Sequence, residues 1–363
     1  MKTFLPLVTV PLLAVLTTSC SNNTNESPTA TASTPSRPKQ ESQQWVTASG
    51  ASAQIHQLRE MNTEQLRALP RDKTVVVMPG AYKGEHGPYL PNVDSFRNER
   101  LAQELANAIA QRPGWHVVIF PFIPLGQGGA NEIGEKFSFS GTFVVRAATL
   151  RAIFMDLAGD LGEQGFRWVF LMNTHGSPFH LRALDEAGDY FHDIYGGHMV
   201  NLAGLLGLGE LNAIFDQFIT EAERNEDASS GHAGMRETSE ALYLRPDLVN
   251  QAYKQAPALT VRNFADAIEL AKKKDWPGYF GSPRLATASL GESALKEYSA
   301  RFNKLALEIL DGRDYRKMPR VADEDFQTID TVADATVRHE RAVENKQAEW
   351  LKRKEQVGKR PAR

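Results

Sequence analysis

His86 and His175 each stand where a short apolar run breaks into a polar turn, and both are residue types that bind divalent metals. Arg167-Trp-Val-Phe-Leu-Met runs into Asn173-Thr-His-Gly. Upstream, Val75-Val-Val-Met-Pro runs into Gly80-Ala-Tyr-Lys-Gly-Glu-His-Gly-Pro and on to Asp94. Buried parallel strands look like this when their carboxyl ends deliver side chains into a crevice, which is where open α/β sheets place their sites. Oxygen and imidazole ligands on rigid elements, with an open position for water, make a hydrolytic metal centre. A bound divalent ion brings the pKa of that water to about 7. Glu85, His86, Asp94 and His175 supply that inventory, and a carboxylate such as Asp94 can bridge two ions. A lone histidine in a chain is more often a surface or core residue than a ligand; two at separate strand ends are less easily assigned that way.

A third segment, Ser229-Ser-Gly-His-Ala-Gly-Met-Arg-Glu-Thr-Ser, crowds small residues around His232. His232 is placed to serve as general acid or base, with Glu237 orienting it or a metal. The plainer alternative is a loop that starts a helix over Glu237–Leu244, with Glu237 in the first turn where the helix dipole favours negative charge.

The elements that must hold these residues follow from periodicity. Strands are expected at Thr74–Met78, His116–Ile123 and Arg167–Met172. Between them, Leu101, Leu105 and Ile109, then Leu150, Ile153, Phe154, Leu157 and Leu161, recur at helical spacing, with Gly165 as a stop. Alternating strands and helices argue for a parallel sheet covered on both faces. Further helices are expected at about 210–224 and 290–311. From Val332 the chain is rich in Arg, Lys and Glu with few apolar anchors, as in a solvated or partner-packed helix.

The chain of 363 residues, 42% hydrophobic and 23% charged, is ordinary for a globular protein, and a net charge of −3 gives no basic field for nucleic acid. Lys2, the apolar stretch from Phe4 to Leu16 and Thr17-Thr-Ser-Cys20 make an export signal too short for a comfortable membrane span. The segment resembles a bacterial lipoprotein signal, in which Cys20 becomes the lipidated first residue. The expected organisation is a signal at 1–20, a disordered Ser/Thr/Asn/Pro/Gln tether at 21–44, a globular domain at 45–312 and a charged, partly helical extension at 313–363. Such a protein would face the periplasm or exterior from a lipid anchor. With the sole cysteine at the anchor, no disulfide or thiolate site is available. No Gly-x-Ser-x-Gly elbow is present. Gly126-Gln-Gly-Gly-Ala lacks the lysine and spacing of a phosphate loop and is expected to be a flexible active-site loop.

Four ordered pieces give a more specific likeness: Glu85-His-Gly-Pro-Tyr-Leu-Pro with Asp94, Ser140-Gly-Thr-Phe, Gly165-Phe-Arg with Asn173-Thr-His-Gly, and His232-Ala-Gly with Glu237-Thr-Ser. Together they resemble the creatininase (creatinine amidohydrolase) family over roughly residues 74–245. The resemblance implies a three-layer α/β/α fold with a mostly parallel sheet, one or two zinc, manganese or iron ions, and hydrolysis of a small, often cyclic amide. It places His86, Asp94 and His175 on ligands, His232 on the proton-transfer histidine and Glu237 on the Glu-Thr-Ser glutamate. Family members also form homo-oligomers. The departures are Gly84 where the family has a ligand glutamate, with Glu85 one residue later; Tyr89 for a histidine; Ser177 where some members carry a carboxylate; and Lys136 in place of a histidine. Fewer carboxylates imply one well-held ion. They also keep open a catalytically degenerate binding or structural protein. Tyr82, Tyr89, Phe137 and Phe179 are candidates for a pocket lining or for packing.

Overall fold

The computed structural model describes residues 54–80, 84–228, 231–323 and 330–358. The expected signal, Cys20, the tether and Tyr82 lie outside the described residues. In chain order the main elements are β1 (Ile55–Gln57), α1 (Thr63–Arg67), β2 (Thr74–Pro79), α2 (Val93–Ala110), β3 (His116–Ile119), α3 (Ala147–Glu163), β4 (Trp168–Met172), α4 (Pro178–Tyr195), β5 (His198–Asn201) and α5 (Leu202–Asp216). They continue with α6 (Glu221–Asp227), α7 (Met235–Leu244), α8 (Phe264–Lys272), α9 (Ala288–Leu310) and α10 (Asp330–Gly358).

The five strands form one parallel sheet in the order β1-β3-β2-β4-β5. The two-residue period of a strand divides the apolar runs between two cores. Val75, Val77, Val117, Phe170 and Val200 pack on one face with α2, α5, α7 and α9. Val76, Met78, Val118, Val169 and Met199 pack on the other with α3 and α4. The result is the expected three-layer α/β/α architecture. Among the described residues, no helix is long and apolar enough to cross a membrane.

Two elements differ from those the sequence predicts. β3 stops at Ile119 rather than Ile123, because Pro121 carries no N–H to continue the ladder. Beyond Ile119 the Phe120 N–H donates to the Val77 carbonyl at 2.9 Å and the Ile123 N–H to the Pro79 carbonyl at 3.0 Å. The helix expected at 210–224 is two helices: α5 ends at Asp216, and Thr220 starts α6 with a capping box to Glu223. Phe218 lies between them and is 43% exposed.

Candidate metal centre

Glu85, His86, Asp94, His175, His232 and Glu237 sit beyond the carboxyl end of the sheet or at a helix start facing it. Asn92 caps α2 by accepting the Ser95 N–H at 3.0 Å, which places Asp94 in the first turn. One turn on, Asn98 donates to the Gly80 carbonyl (2.6 Å) at the end of β2 and accepts from Thr174 N (3.1 Å) just past β4. The two strand ends carrying His86 and His175 are thereby tied to the helix carrying Asp94.

His232 lies between α6 and α7. Ala233 adopts the left-handed conformation (φ 50°), disfavoured for a residue with a Cβ. Its N–H donates to Glu237 Oε2 at 2.7 Å, while the His232 carbonyl accepts from Phe280 N at 2.9 Å. Glu237 thus satisfies the start of α7, as the plainer alternative expects, and the same oxygen also faces the site.

The polar atoms converge in two overlapping sets. His86 Nε2 is 3.6 Å from Glu237 Oε2, and His232 Nδ1 is 4.0 Å from that oxygen. His86, His232 and Glu237 each offer a ligand atom, all within 4.8 Å of one another. His86 Nε2 is also 3.9 Å from Asp94 Oδ2, and His175 Nδ1 is 3.7 Å from the same oxygen. Glu85 reaches the first set differently. Its Oε1 lies 3.2 Å from His232 Nε2, and its Oε2 accepts the Gly87 N–H at 2.8 Å.

The 3.6–4.0 Å separations among His86, Asp94, His175, His232 and Glu237 exceed a hydrogen bond. Two ligands about 2.1 Å from a common ion are about 3.4 Å apart at the tetrahedral angle and below about 4.2 Å at any angle. His175 adds a chemical argument. Its Nε2 is 3.1 Å from the Gln127 carbonyl, which can only accept, so the ring proton is on Nε2. The Nδ1 lone pair then faces a carboxylate oxygen of Asp94, acceptor against acceptor, with room for a cation between. A histidine whose far nitrogen donates to a backbone carbonyl is the arrangement that orients metal-binding imidazoles. The donors present fit a divalent ion.

Gln127 belongs to the glycine-rich loop. Gly128 has φ +77°, and a Cβ there would overlap the Ser177 hydroxyl, which itself donates to Gln127 Oε1 at 2.8 Å. Behind His175, His180 accepts the Gln127 N–H at 3.1 Å and contacts Asn173 at 2.6 Å. The loop is further braced by α10. The Glu340 carboxylate accepts from Ala147 N at 3.0 Å, and Phe137 stacks on His339 with centroids 4.1 Å apart. Tyr89 packs on Tyr279 at 5.8 Å.

The buried charges are sharply sorted. Burial lowers the pKa of His175 to about 4, against the opposing pull of Asp94. Burial also opposes charge on His232, but Glu85, Glu237 and Asp94 outweigh it and raise the pKa to about 9. Burial pushes Glu237 up, yet His86, Arg97 and His232 hold it well below the usual carboxylate range. Two participants were missed in the sequence. Arg97 and Glu240 are 4% and 0% exposed, and Arg97 Nη1 donates to Glu240 Oε2 at 2.7 Å. Their only sequence signal is spacing: each follows a site carboxylate, Asp94 or Glu237, by one helical turn.

A parallel α/β/α sandwich with imidazoles and carboxylates gathered at its carboxyl edge defines a class of metal-site proteins, and comparison with known proteins narrows it. Residues 59–306 match the profile described as Creatininase: creatinine amidohydrolase, and the chain belongs to that family. The crystal structure of a creatinine amidohydrolase superposes with a TM-score of 0.53 at 20% identity, covering 70% of this chain and 97% of that one. A manganese creatininase structure gives 0.52 at 20% identity, with 70% and 98% covered. A mutant creatininase of Zn-Zn type gives 0.51 at 20% identity, again with 70% and 98% covered. These likenesses establish the fold. A mycofactocin precursor peptide peptidase from Mycobacterium ulcerans (strain Agy99) is 30% identical over 128 residues, 33% of this chain and 47% of that protein. The match therefore spans about half the length of that relative.

Proposed function

We propose that this protein is a metal-dependent amidohydrolase that cleaves a small amide, with one divalent ion held by His86, Asp94 and His175, and with Glu237 facing the same centre. The observation that carries this is the His175 Nδ1 lone pair facing Asp94 Oδ2 at 3.7 Å while its Nε2 proton is held by Gln127. An ion there supplies Lewis acidity toward an amide carbonyl and acidifies water. The chain's own residues do the rest. His175 is kept neutral and aimed by Gln127, and Glu85 keeps His232 charged. His232, buried beside the cluster, then has a proton to give to a departing amide nitrogen. Glu85, counted in the sequence among the ligands, acts in this proposal on His232.

One observation favours the alternative of a binding or structural protein. The carboxylates of Glu85 and Asp94 are already engaged, Glu85 by His232 and Asp94 by Arg97. Metal analysis of the purified chain, with a panel of cyclic and formylated amides assayed before and after chelation, separates the two. Stoichiometric metal and chelator-sensitive turnover are expected; metal-free protein indifferent to His175→Ala would establish the binding protein. Export on a lipid anchor at Cys20 is part of the proposal and rests on the amino-terminal sequence. Incorporation of labelled palmitate, lost in Cys20→Ala, tests it.

A further inference from the structure

Arg97 is held on three sides by the elements that build the centre. Its Nη2 is ion-paired with Asp94 Oδ1 in the first turn of α2. Its Nη1 lies 2.7 Å from Glu240 Oε2 and 3.6 Å from Glu237 Oε1, both on α7. Its Nε donates at 2.7 Å to Thr174 Oγ1, the neighbour of His175. The guanidinium cannot lose its proton at any working pH, and its planar fork fixes the oxygens it holds.

Two carboxylates are divided by this contact. Asp94 turns Oδ1 to Arg97 and Oδ2 to His86 and His175. Glu237 turns Oε1 toward Arg97 and Oε2 toward His86 and His232. In two-ion hydrolases the metals lie about 3.5–4 Å apart, and a bridging carboxylate gives one oxygen to each. Here the second oxygen of each carboxylate faces a fixed organic cation. An ion placed there would sit directly against a like charge in a buried site.

We infer that Arg97 is a built-in second cation: a positioning residue that takes the place of a second metal, limits the centre to one divalent ion and aims Asp94 Oδ2 and Glu237 Oε2 at it. The inference rests on the metal-centre proposal above and explains how a divergent ligand shell stays charge-balanced. Glu240 completes it as the counter-charge on the far side of the guanidinium.

The test counts ions. Full-length protein, stripped with chelator and reloaded with Mn(II), is expected to hold one ion per chain by elemental analysis and to give the six-line paramagnetic signal of an isolated ion. Arg97→Lys keeps a cation and is expected to remain at one. Arg97→Met combined with Glu240→Leu removes a matched buried pair, a change that folds often tolerate, and is expected to raise occupancy from one ion to two with a spin-coupled signal. Should that variant fail to fold by circular dichroism, Arg97→Gln asks the same question and is expected to exceed one ion. Two ions in the wild-type chain, or one in the neutral variants, overturns the role of Arg97 while leaving the hydrolase intact. No bound ion in the wild-type chain overturns both.

Discussion

His175 and His232 are buried imidazoles of one site held in opposite proton states. His175 faces a backbone carbonyl and one oxygen of a carboxylate whose other oxygen is neutralised by Arg97, so burial prevails and its pKa falls to about 4. His232 sits against Glu85 at 3.2 Å with Glu237 nearby, and their charges overcome the same burial to raise it to about 9. Depth alone does not set ionisation; the local count of unbalanced carboxylate oxygens does. The neutral ring presents a lone pair and the charged ring carries a proton, which is the division of labour that metal-assisted hydrolysis needs.

The comparison breaks most visibly at His232. His232→Gln is expected to lower kcat about 10²–10⁴-fold with the bound metal retained, as loss of a proton donor does. Retained turnover would remove His232 from proton transfer. Next, Glu85→Gln is expected to drop the His232 pKa from about 9 toward its ordinary value of 6.5 in metal-free protein, read by imidazole NMR titration. A value that stays near 9 would shift the cause to Glu237 and Asp94.

The third effect is on stability, and the two histidines tilt it in opposite directions. The folded pKa of His175 lies below its unfolded value, so between pH 6.5 and about 4 the unfolded chain takes up a proton the folded chain refuses, and stability falls as pH falls. The folded pKa of His232 lies above its unfolded value, so its contribution is full below pH 6.5 and is lost as pH rises through about 9. Each limb is worth up to about 3 kcal/mol. Denaturant titrations of the metal-free protein are expected to show His175→Gln flattening the acid limb and His232→Gln the alkaline one. If each variant moved both limbs equally, the two sites would have to be treated as one coupled titration. The smallest effect concerns the brace behind His175. Ser177→Ala removes the bond to the Gln127 side chain and is expected to cost about 0.5–1.5 kcal/mol. It leaves the His175 pKa unchanged, because the carbonyl contact remains.

The parts of this arrangement that follow simple periodicity were legible in the sequence. β2 after Thr74 and β4 throughout are apolar runs that end at a proline or just before an asparagine, and His86 and His175 lie beyond their carboxyl ends as expected. β1 and β5 were not, since Ile55-His-Gln and His198-Met-Val-Asn are short and half polar, and only neighbours in the sheet make them strands. α4 was missed although it lies directly after Asn173-Thr-His-Gly. The Arg97–Glu240 pair was invisible for another reason. Charged residues on a helix ordinarily mark its solvent face, and only the packing of α2 against α7 turns these inward. The direction of the Glu85 carboxylate is likewise a matter of three dimensions, because Gly87 N holds one of its oxygens and the distant His232 the other.

The contacts of α10 bear on when the site comes into being. Thr336 Oγ1 donates to Glu132 at 3.2 Å, Glu340 holds Ala147 N, and Arg146 pairs with Glu344 at 3.2 Å, so the loops that carry Gln127 are fastened by the carboxyl-terminal helix. Ribosomes deliver that helix after every candidate ligand has been made. The brace on those loops is therefore the last of these parts to be synthesised.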